Sequence, residues 1–314
     1  MLQYLVILLD GAAASYCHYA PETAAPAPMP ADVLRRGILF AMKENLNVQF
    51  VYPVADVPEE TARLVETIDH TKIKPLGAPG EADVWTTDDW DALSACRFRP
   101  GCAYVLRTDR ATLFSRYGEL AAVLHRTDRL NLVLTDEERF TDEDCRRYAT
   151  ALDALADALA GEYAAGRTPQ LNVLTDRLLL TAMNNCGAGD SQLTLAPDGR
   201  FYVCPAFYQA AGGFAVGDLD GGPAVGNPQL YRLDHAPLCR RCDAWQCRRC
   251  VWLNRRTTLE VNTPGREQCI AAHVERNASC SLLRKLRERG VELAGVGELK
   301  ETEYLDPFEV REKW

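Results

Sequence analysis

The chain has 314 residues, a formal net charge of −9 and a hydrophobic content of 47%. This length and composition indicate a folded protein of one large or two smaller domains, which can bury a substantial core. Because the balance is acidic and no basic stripe carries interleaved aromatic residues, nucleic acid is not an expected partner. No segment is long and apolar enough to span a bilayer, so we expect no membrane partner either.

The amino-terminal segment matches only part of the pattern of a signal peptide. Tyr4 to Leu9 is apolar and three alanines follow it, but Met1 to Gln3 carries no basic residue and Asp10 interrupts the apolar run. We therefore expect a cytoplasmic, reduced protein, in which disulfides do not account for the cysteines.

The first half of the chain alternates between short apolar runs and longer amphipathic stretches, a rhythm typical of β/α units. The predicted strands are Tyr4–Asp10, Val48–Val54, Val84–Thr86, Ala103–Arg107, Leu130–Leu134 and Leu171–Leu174. The predicted helices are Asp32–Leu46, Pro58–Ile68, Asp88–Cys96, Thr112–Arg126 and Thr141–Ala165, with Asp32 and Thr141 as N-caps. Successive parallel strands joined by crossover helices predict an open sheet or a partial barrel. The loop Ala20–Pro30 would lie on the face where such folds build their sites.

Glycines become frequent from about Asn184, which predicts a separate, loop-rich module. Within it, Leu193–Val203 is typical of a hairpin that turns at Pro197-Asp198-Gly199 and ends at Cys204. The module has too little apolar content for a robust core of its own. We therefore expect metal binding to supply part of its folding free energy.

Eight of the twelve cysteines lie after residue 185. They are Cys186, Cys204, Cys239, Cys242, Cys247, Cys250, Cys269 and Cys280. Four of them form two Cys-x2-Cys pairs that stand four residues apart, a spacing that lets backbone turns aim several sulfurs at soft metal centres. Eight thiolates would fill two four-cysteine iron–sulfur clusters, whereas the two pairs alone are enough to close one zinc site. Iron–sulfur is the favoured interpretation and zinc the alternative, while Cys96, Cys102 and Cys145 are interpreted as ordinary small apolar side chains.

Four arginines, Arg240, Arg241, Arg248 and Arg249, lie among the two cysteine pairs. They are either solvated surface residues or counter-charges for an anionic thiolate cluster. We favour the second interpretation.

The pattern Cys186-x12-Gly199-x4-Cys204, followed by the two pairs and Cys269, resembles the SPASM domain. This is the auxiliary-cluster module appended to many radical SAM enzymes that modify ribosomal peptides. The third and fourth spacings are each one residue shorter than in the usual family pattern. The resemblance implies one auxiliary cluster on Cys239, Cys242, Cys247 and Cys269, and a second on Cys186, Cys204 and Cys250. The second cluster has no match for the family's fourth ligand, so either Cys280 supplies it or the site is open.

A SPASM module implies a radical SAM partial barrel before it, whose catalytic cluster is held by C-x3-C-x2-C in the loop after the first strand. In this chain Asp10, Ala14 and Cys17 stand at those three positions. The family's glycine-rich motif for S-adenosylmethionine (AdoMet) should follow the second strand, where the chain has Val51–Val54 without a glycine. The chain thus resembles a degenerate radical SAM protein, of the group called CXXX-repeat peptide maturases. We expect it neither to bind nor to cleave AdoMet.

The resemblance implies three parts: a degenerate radical SAM-like partial (β/α) barrel at 1–183, a SPASM-like iron–sulfur domain at 184–285 and a tail at 286–314. We expect an accessory or maturation protein of a ribosomal peptide modification system. It would carry two [4Fe–4S] clusters and bind a precursor peptide, a radical SAM peptide maturase, or both. The alternatives are a peptide-modifying enzyme that acts without cleaving AdoMet, and a zinc-stabilised binding scaffold.

Two further features have open roles. Cys17 beside His18 is a candidate nucleophile, although a relic cysteine is the favoured interpretation, and no other catalytic residue is assigned. The segment Glu298–Trp314 is a charged tail whose Tyr304, Leu305, Phe308 and Trp314 either anchor a partner or pack on the protein itself.

Overall fold

The computed structural model describes residues 2–19, 26–210, 213–296 and 299. This part of the chain is a mixed α/β structure with a large parallel sheet. Its strands are β1 (Tyr4–Leu8), β2 (Asn47–Val51), β3 (His70–Pro75), β4 (Val84–Thr87), β5 (Ala103–Thr108), β6 (Arg129–Leu134), β7 (Gln170–Leu171), β8 (Gln192–Leu195), β9 (Arg200–Tyr202), β10 (Ala215–Asp218) and β11 (Gly222–Pro223). Its α-helices are α1 (Ala31–Lys43), α2 (Glu59–Val65), α3 (Trp90–Ala95), α4 (Arg110–Arg116), α5 (Leu120–Leu124), α6 (Asp142–Ala164), α7 (Asn172–Leu179), α8 (Pro205–Gln209), α9 (Val251–Thr258) and α10 (Arg266–Glu288).

Most predicted elements of the first half are present, with shifted ends, and three predictions are wrong. Asp32 lies in the first turn of α1, and Pro30 occupies the N-cap position. The predicted strand at Leu171–Leu174 ends at Leu171, because α7 begins at Asn172. The side-chain amide of Asn172 accepts from the backbone N–H of Leu132 at 2.7 Å and donates to its carbonyl oxygen at 3.0 Å. The single helix predicted from Thr112 to Arg126 is two helices, α4 and α5, separated by a 3₁₀ turn.

The N-cap prediction for α6 is confirmed. The hydroxyl of Thr141 accepts from the backbone N–H of Asp144, and the Asp144 carboxylate accepts from the backbone N–H of Thr141. This reciprocal capping box satisfies two of the donors that a helix start leaves unpaired.

The chain folds into two compact units, each built from two stretches. The first unit comprises 1–87 and 186–235, and the second comprises 88–185 and the chain from 236 onward. The chain therefore passes between the units three times. The three parts predicted from the sequence, with boundaries at 183/184 and 285/286, are defined by their expected roles and not by the contacts that define these two units. This division into parts stays a prediction.

The first unit is built on a sheet with the order β11-β10-β9-β8-β1-β2-β3-β4. Strands β8, β1, β2, β3 and β4 are parallel, and β9, β10 and β11 continue antiparallel. Leu5 and Ile7 pack on one face of β1, with α1, while Val6 and Leu8 pack on the other. Burial of both faces is what a parallel sheet requires. Gly37 allows α1 to pack closely against Leu195 of β8, because a Cβ at this position would lie 2.3 Å from Cδ2 of Leu195.

The predicted hairpin is confirmed as β8 and β9, which pair antiparallel around Gly199 at φ 75°. Strand β8 also pairs parallel with β1, so that Gln192 lies opposite Tyr4 and Leu195 opposite Ile7. Residues 186–235 therefore fold together with 1–87.

The second unit has a parallel sheet of β5, β6 and β7, and two long helices, α6 and α10, that pack along one another. The hydroxyl of Tyr148 on α6 donates to Glu275 of α10 at 2.8 Å. Lys285 of α10 pairs with Asp157 at 2.6 Å and with Asp153 at 3.1 Å, both on α6. These contacts position α10, which carries two of the predicted ligands, Cys269 and Cys280.

No helix of the described residues is long and apolar enough to cross a membrane. Residues 20–25 of the predicted loop Ala20–Pro30 lie outside the described residues, as does all of the tail Glu298–Trp314 except Leu299.

Candidate metal centre

Four thiols of the second unit line one pocket: Cys239, Cys242, Cys247 and Cys269. We call it the four-thiol pocket. Three of these thiols come from the segment that carries the two Cys-x2-Cys pairs, and α10 supplies the fourth. This is the set that the SPASM resemblance implies for one auxiliary cluster. Cys250, the fourth cysteine of the two pairs, is not among the lining residues, and the alternative in which the two pairs close a site among themselves stays a prediction.

The local backbone is shaped to present sulfur atoms. The N–H of Ala244 lies 3.4 Å from Sγ of Cys242, and the N–H of Arg249 lies 3.4 Å from Sγ of Cys247. In both cases the donor is two residues after the cysteine. Such N–H groups favour a thiolate over a neutral thiol, so the turns are suited to hold metal ligands.

Buried polar contacts attach the segment that carries the two Cys-x2-Cys pairs to α7 and α10. Asp243, which is 1% exposed, pairs with Arg276 of α10 at 2.7 Å. Its carbonyl oxygen accepts from Nε of Arg177 on α7 at 2.6 Å. The side-chain amide of Gln246 donates to the carbonyl oxygen of Ala272 at 2.6 Å. The segment with three thiols is therefore fixed against the helix that supplies the fourth.

The four arginines of this region divide into two groups. Arg240, Arg241 and Arg248 are exposed. Arg249 is 1% exposed and lines the four-thiol pocket. The counter-charge interpretation thus applies to Arg249 alone, and the other three positions fit the interpretation as solvated residues.

Two thiols of the pocket, those of Cys239 and Cys247, have a pKa above that of a free cysteine. Burial raises the pKa of Cys239 to about 11, although the charge of Arg249 acts in the opposite direction. Burial also raises the pKa of Cys247 well above its usual range. Without metal these groups carry protons at neutral pH, so that metal uptake has to release them.

The spacing of the donors bears on which metal fits. A tetrahedral zinc with Zn–S bonds of about 2.3 Å needs sulfurs about 3.8 Å apart. Among the described residues, the one group of three donors within 4.8 Å of one another is Cys242, Asp243 and His273. No three thiols of the four-thiol pocket meet that limit. The choice between zinc and an iron–sulfur cluster therefore stays a prediction.

The remaining predicted ligands are divided between the units. Cys186 and Cys204 belong to the first unit, and Cys250 and Cys280 belong to the second. Cys250 is the N-cap residue of α9, and its Sγ lies 3.5 Å from the N–H of Leu253. The second cluster that the resemblance implies stays a prediction.

Cys17 accompanies Cys186 and Cys204 in the first unit. Burial raises the pKa of Cys204, and negative charge on Cys186 or Cys17 would raise it further. No sequence pattern groups these three thiols, because no spacing rule connects a residue after the first strand with the region near residue 200. The nucleophile role considered for Cys17 with His18 stays a prediction.

The loop that would hold a catalytic cluster is closed by its own polar contacts. The buried carboxylate of Asp10 accepts from the N–H of Ala12 at 2.7 Å and from that of Ala27 at 3.0 Å. The N–H of Ala14 donates to the carbonyl oxygen of Tyr52 at 2.9 Å. Two of the three positions that would carry cysteine in the family pattern thus take part in closing the loop.

The same loop covers one face of the parallel sheet. Tyr16 packs against the cluster that contains Val6, Leu8 and Ile73, and Tyr208 of α8 joins it there. The hydroxyl of Thr86, at the end of β4, donates to the carbonyl oxygen of Ser15 at 2.6 Å. Side chains of the chain itself therefore fill the space next to these strands.

Neither a protein-family model nor a curated protein sequence matches the chain. Its fold is similar to that of anSMEcpe solved with bound AdoMet, with a TM-score of 0.63 at 10% identity over 93% of this chain and 96% of that chain. The native anSMEcpe with bound AdoMet and the Kp18Cys peptide gives a TM-score of 0.60 at 11% identity, over 91% of this chain and 99% of that one. At this identity the likeness shows the fold alone.

Proposed function

We propose that the protein is an accessory or maturation protein of a ribosomal peptide modification system. It holds iron–sulfur clusters and binds a precursor peptide, a radical SAM peptide maturase, or both. The observation that carries this proposal is the four-thiol pocket on a fold like that of anSMEcpe, which was solved with AdoMet and peptide. Within this proposal the fold is a partial (β/α) barrel of radical SAM type joined to a SPASM-like module.

The four thiols Cys239, Cys242, Cys247 and Cys269 would hold one [4Fe–4S] cluster. Such a cluster supplies one-electron transfer when it is bound. The chain's own residues enclose the thiols, direct backbone N–H groups at two sulfurs and place the cation of Arg249 beside them. Cys186, Cys204 and Cys250 would hold the second cluster, with Cys280 or an open position as the fourth ligand.

We propose that this protein neither binds nor cleaves AdoMet. Asp10 and Ala14 offer no thiolate, and both take part in closing the loop after β1. Tyr52 and Pro53 follow β2, where the family has its glycine-rich motif. The carbonyl oxygen of Tyr52 accepts from the N–H of Ala14, and Pro53 forms a β-bridge with Ala13, so both residues contact the loop after β1. Peptide binding is the remaining use of such a fold, and the peptide in the anSMEcpe structure supports it.

Co-expression with a radical SAM enzyme and a precursor peptide encoded beside this protein tests the proposal. We expect a complex that survives gel filtration and a faster modification of the peptide when this protein is present. Deletion of Glu303–Trp314 should weaken the complex, whereas Arg248→Gln, an exposed change near the thiols, should leave it intact. Separate elution, with full modification in its absence, would reject the accessory role.

Two alternatives give different outcomes in the same assay. A peptide-modifying enzyme independent of AdoMet would change the peptide without the radical SAM partner. A zinc-stabilised scaffold would form the complex but would carry zinc in place of iron.

A further inference from the structure

Arg249 is the largest fully buried side chain of the described residues. Burying a guanidinium is costly unless an anion lies beside it. Arg249 lines the four-thiol pocket together with all four thiols, which are the groups that could supply this anion. The arrangement is therefore most favourable when the thiols are ionised, as they are when they ligate a metal.

The backbone at Arg249 is specialised for this position. Its φ of 48° lies in the left-handed region, which residues other than glycine, asparagine and aspartate rarely adopt. In this conformation the N–H of Arg249 points at Sγ of Cys247 while its side chain is enclosed. The neighbouring Arg248 is exposed, so two adjacent arginines differ completely in environment.

We propose that Arg249 is the counter-charge of the cluster in the four-thiol pocket and that it raises the reduction potential of this cluster. The inference rests on the proposed function. A four-thiolate [4Fe–4S] centre is anionic, and one-electron reduction adds a further negative charge. A fixed cation in a poorly solvated pocket stabilises the reduced form more than the oxidised form.

The test is a potentiometric titration of the anaerobic holoprotein, with dithionite as the electron donor and electron paramagnetic resonance as the readout. The signal that disappears in Cys242→Ser identifies the four-thiol pocket. We compare Arg249→Gln, Arg249→Lys and the matched control Arg248→Gln, and we measure iron in each. Arg249→Gln should disfavour reduction at least tenfold, which is about 59 mV for one electron, while the other two stay near the wild type.

A second result would also support the proposal: Arg249→Gln fails to load iron, while Arg249→Lys loads iron normally and keeps the wild-type potential. In that case the positive charge at this position determines whether the cluster is bound. An unchanged potential in Arg249→Gln would overturn it. An equal loss of iron or an equal change of potential in Arg249→Lys and Arg249→Gln would also overturn it, because the shape of the side chain rather than its charge would then determine the effect. A wild-type protein without iron would reject the proposed function itself, and this result is distinct from an unchanged potential.

Discussion

Asp243 lies next to a predicted ligand, and its buried carboxylate pairs with Arg276 at 2.7 Å. We expect Asp243→Asn to lower the free energy of unfolding by about 3 kcal/mol, because it leaves a mostly buried guanidinium without its counter-charge. Urea denaturation of the anaerobic protein measures the change. Asp234→Asn is the control, because Asp234 pairs with Arg232 on the surface, where an ion pair contributes little. Equal stability of the two variants would show that the buried pair does not support the site.

Glu137 is a buried carboxyl group of the second unit. Burial, followed by the charges of Glu138 and Asp136, raises its pKa from 4.5 to about 8. The folded state therefore holds this proton more tightly than the unfolded state, and its contribution to stability is lost as the pH rises from about 4.5 through about 8.

Between pH 6 and 8.5 this loss amounts to about 3 kcal/mol, from two pH units at about 1.4 kcal/mol each. We expect Tm of the wild type to fall across this window and that of Glu137→Gln to fall less, because glutamine has no proton to lose. The control Glu143→Gln changes an exposed carboxylate and should keep the wild-type slope. Identical slopes in all three proteins would contradict the assignment.

At the residue scale, sequence predicts which four thiols line one pocket better than it predicts the environment of these thiols. The spacing of the cysteines and the SPASM resemblance give the four thiols that line the pocket. Burial of Arg249, and not of Arg248, depends on a left-handed backbone residue that no composition rule marks. The pairing of Asp243 with Arg276 joins residues from different elements and has no local signal.

In the loop after β1, Asp10 and Ala14 stand where the radical SAM pattern would place two cysteines. The contacts of this loop run from Asp10, Ala14 and Ser15 to backbone or side-chain groups of the first unit. We expect reconstituted protein with dithionite and AdoMet to form no 5′-deoxyadenosine, because two thiolate ligands are missing. A metal-only sample sets the background. Turnover above it would restore a catalytic role to the first unit.

The same loop carries Cys17, which lies near enough to Cys204 for its charge to affect that thiol. If Cys17 serves the second cluster, Cys17→Ser should lower the iron content of the anaerobic protein, while Cys145→Ser should not. Equal iron in both variants would leave Cys17 as a relic.

At the element scale, apolar runs predict β1, β2, β4, β5 and β6 within a few residues. Strand β3 is absent from the prediction, because its segment contains one buried apolar side chain, Ile73, between two lysines. Its parallel pairing with β2 and β4 depends on the neighbouring strands rather than on its own pattern.

At the scale of the whole molecule, the fold combines distant stretches of the chain in each unit. The hairpin predicted near residue 200 is present, but its pairing with β1 could not be derived from either segment alone. Parallel pairing is non-local, and local sequence gives no partner for a strand edge. The similarity to anSMEcpe over 93% of this chain agrees with the α/β architecture that the sequence predicts.

The metal content of anaerobically purified protein, measured together with its Mössbauer spectrum, tests the iron–sulfur proposal most directly. We predict about eight irons per chain, four for each [4Fe–4S] cluster, and a decrease to about four in Cys242→Ser. Cys96→Ser, a change outside the proposed clusters, should keep the wild-type content. Stoichiometric zinc in a fully folded protein without iron would contradict the proposal of two [4Fe–4S] clusters.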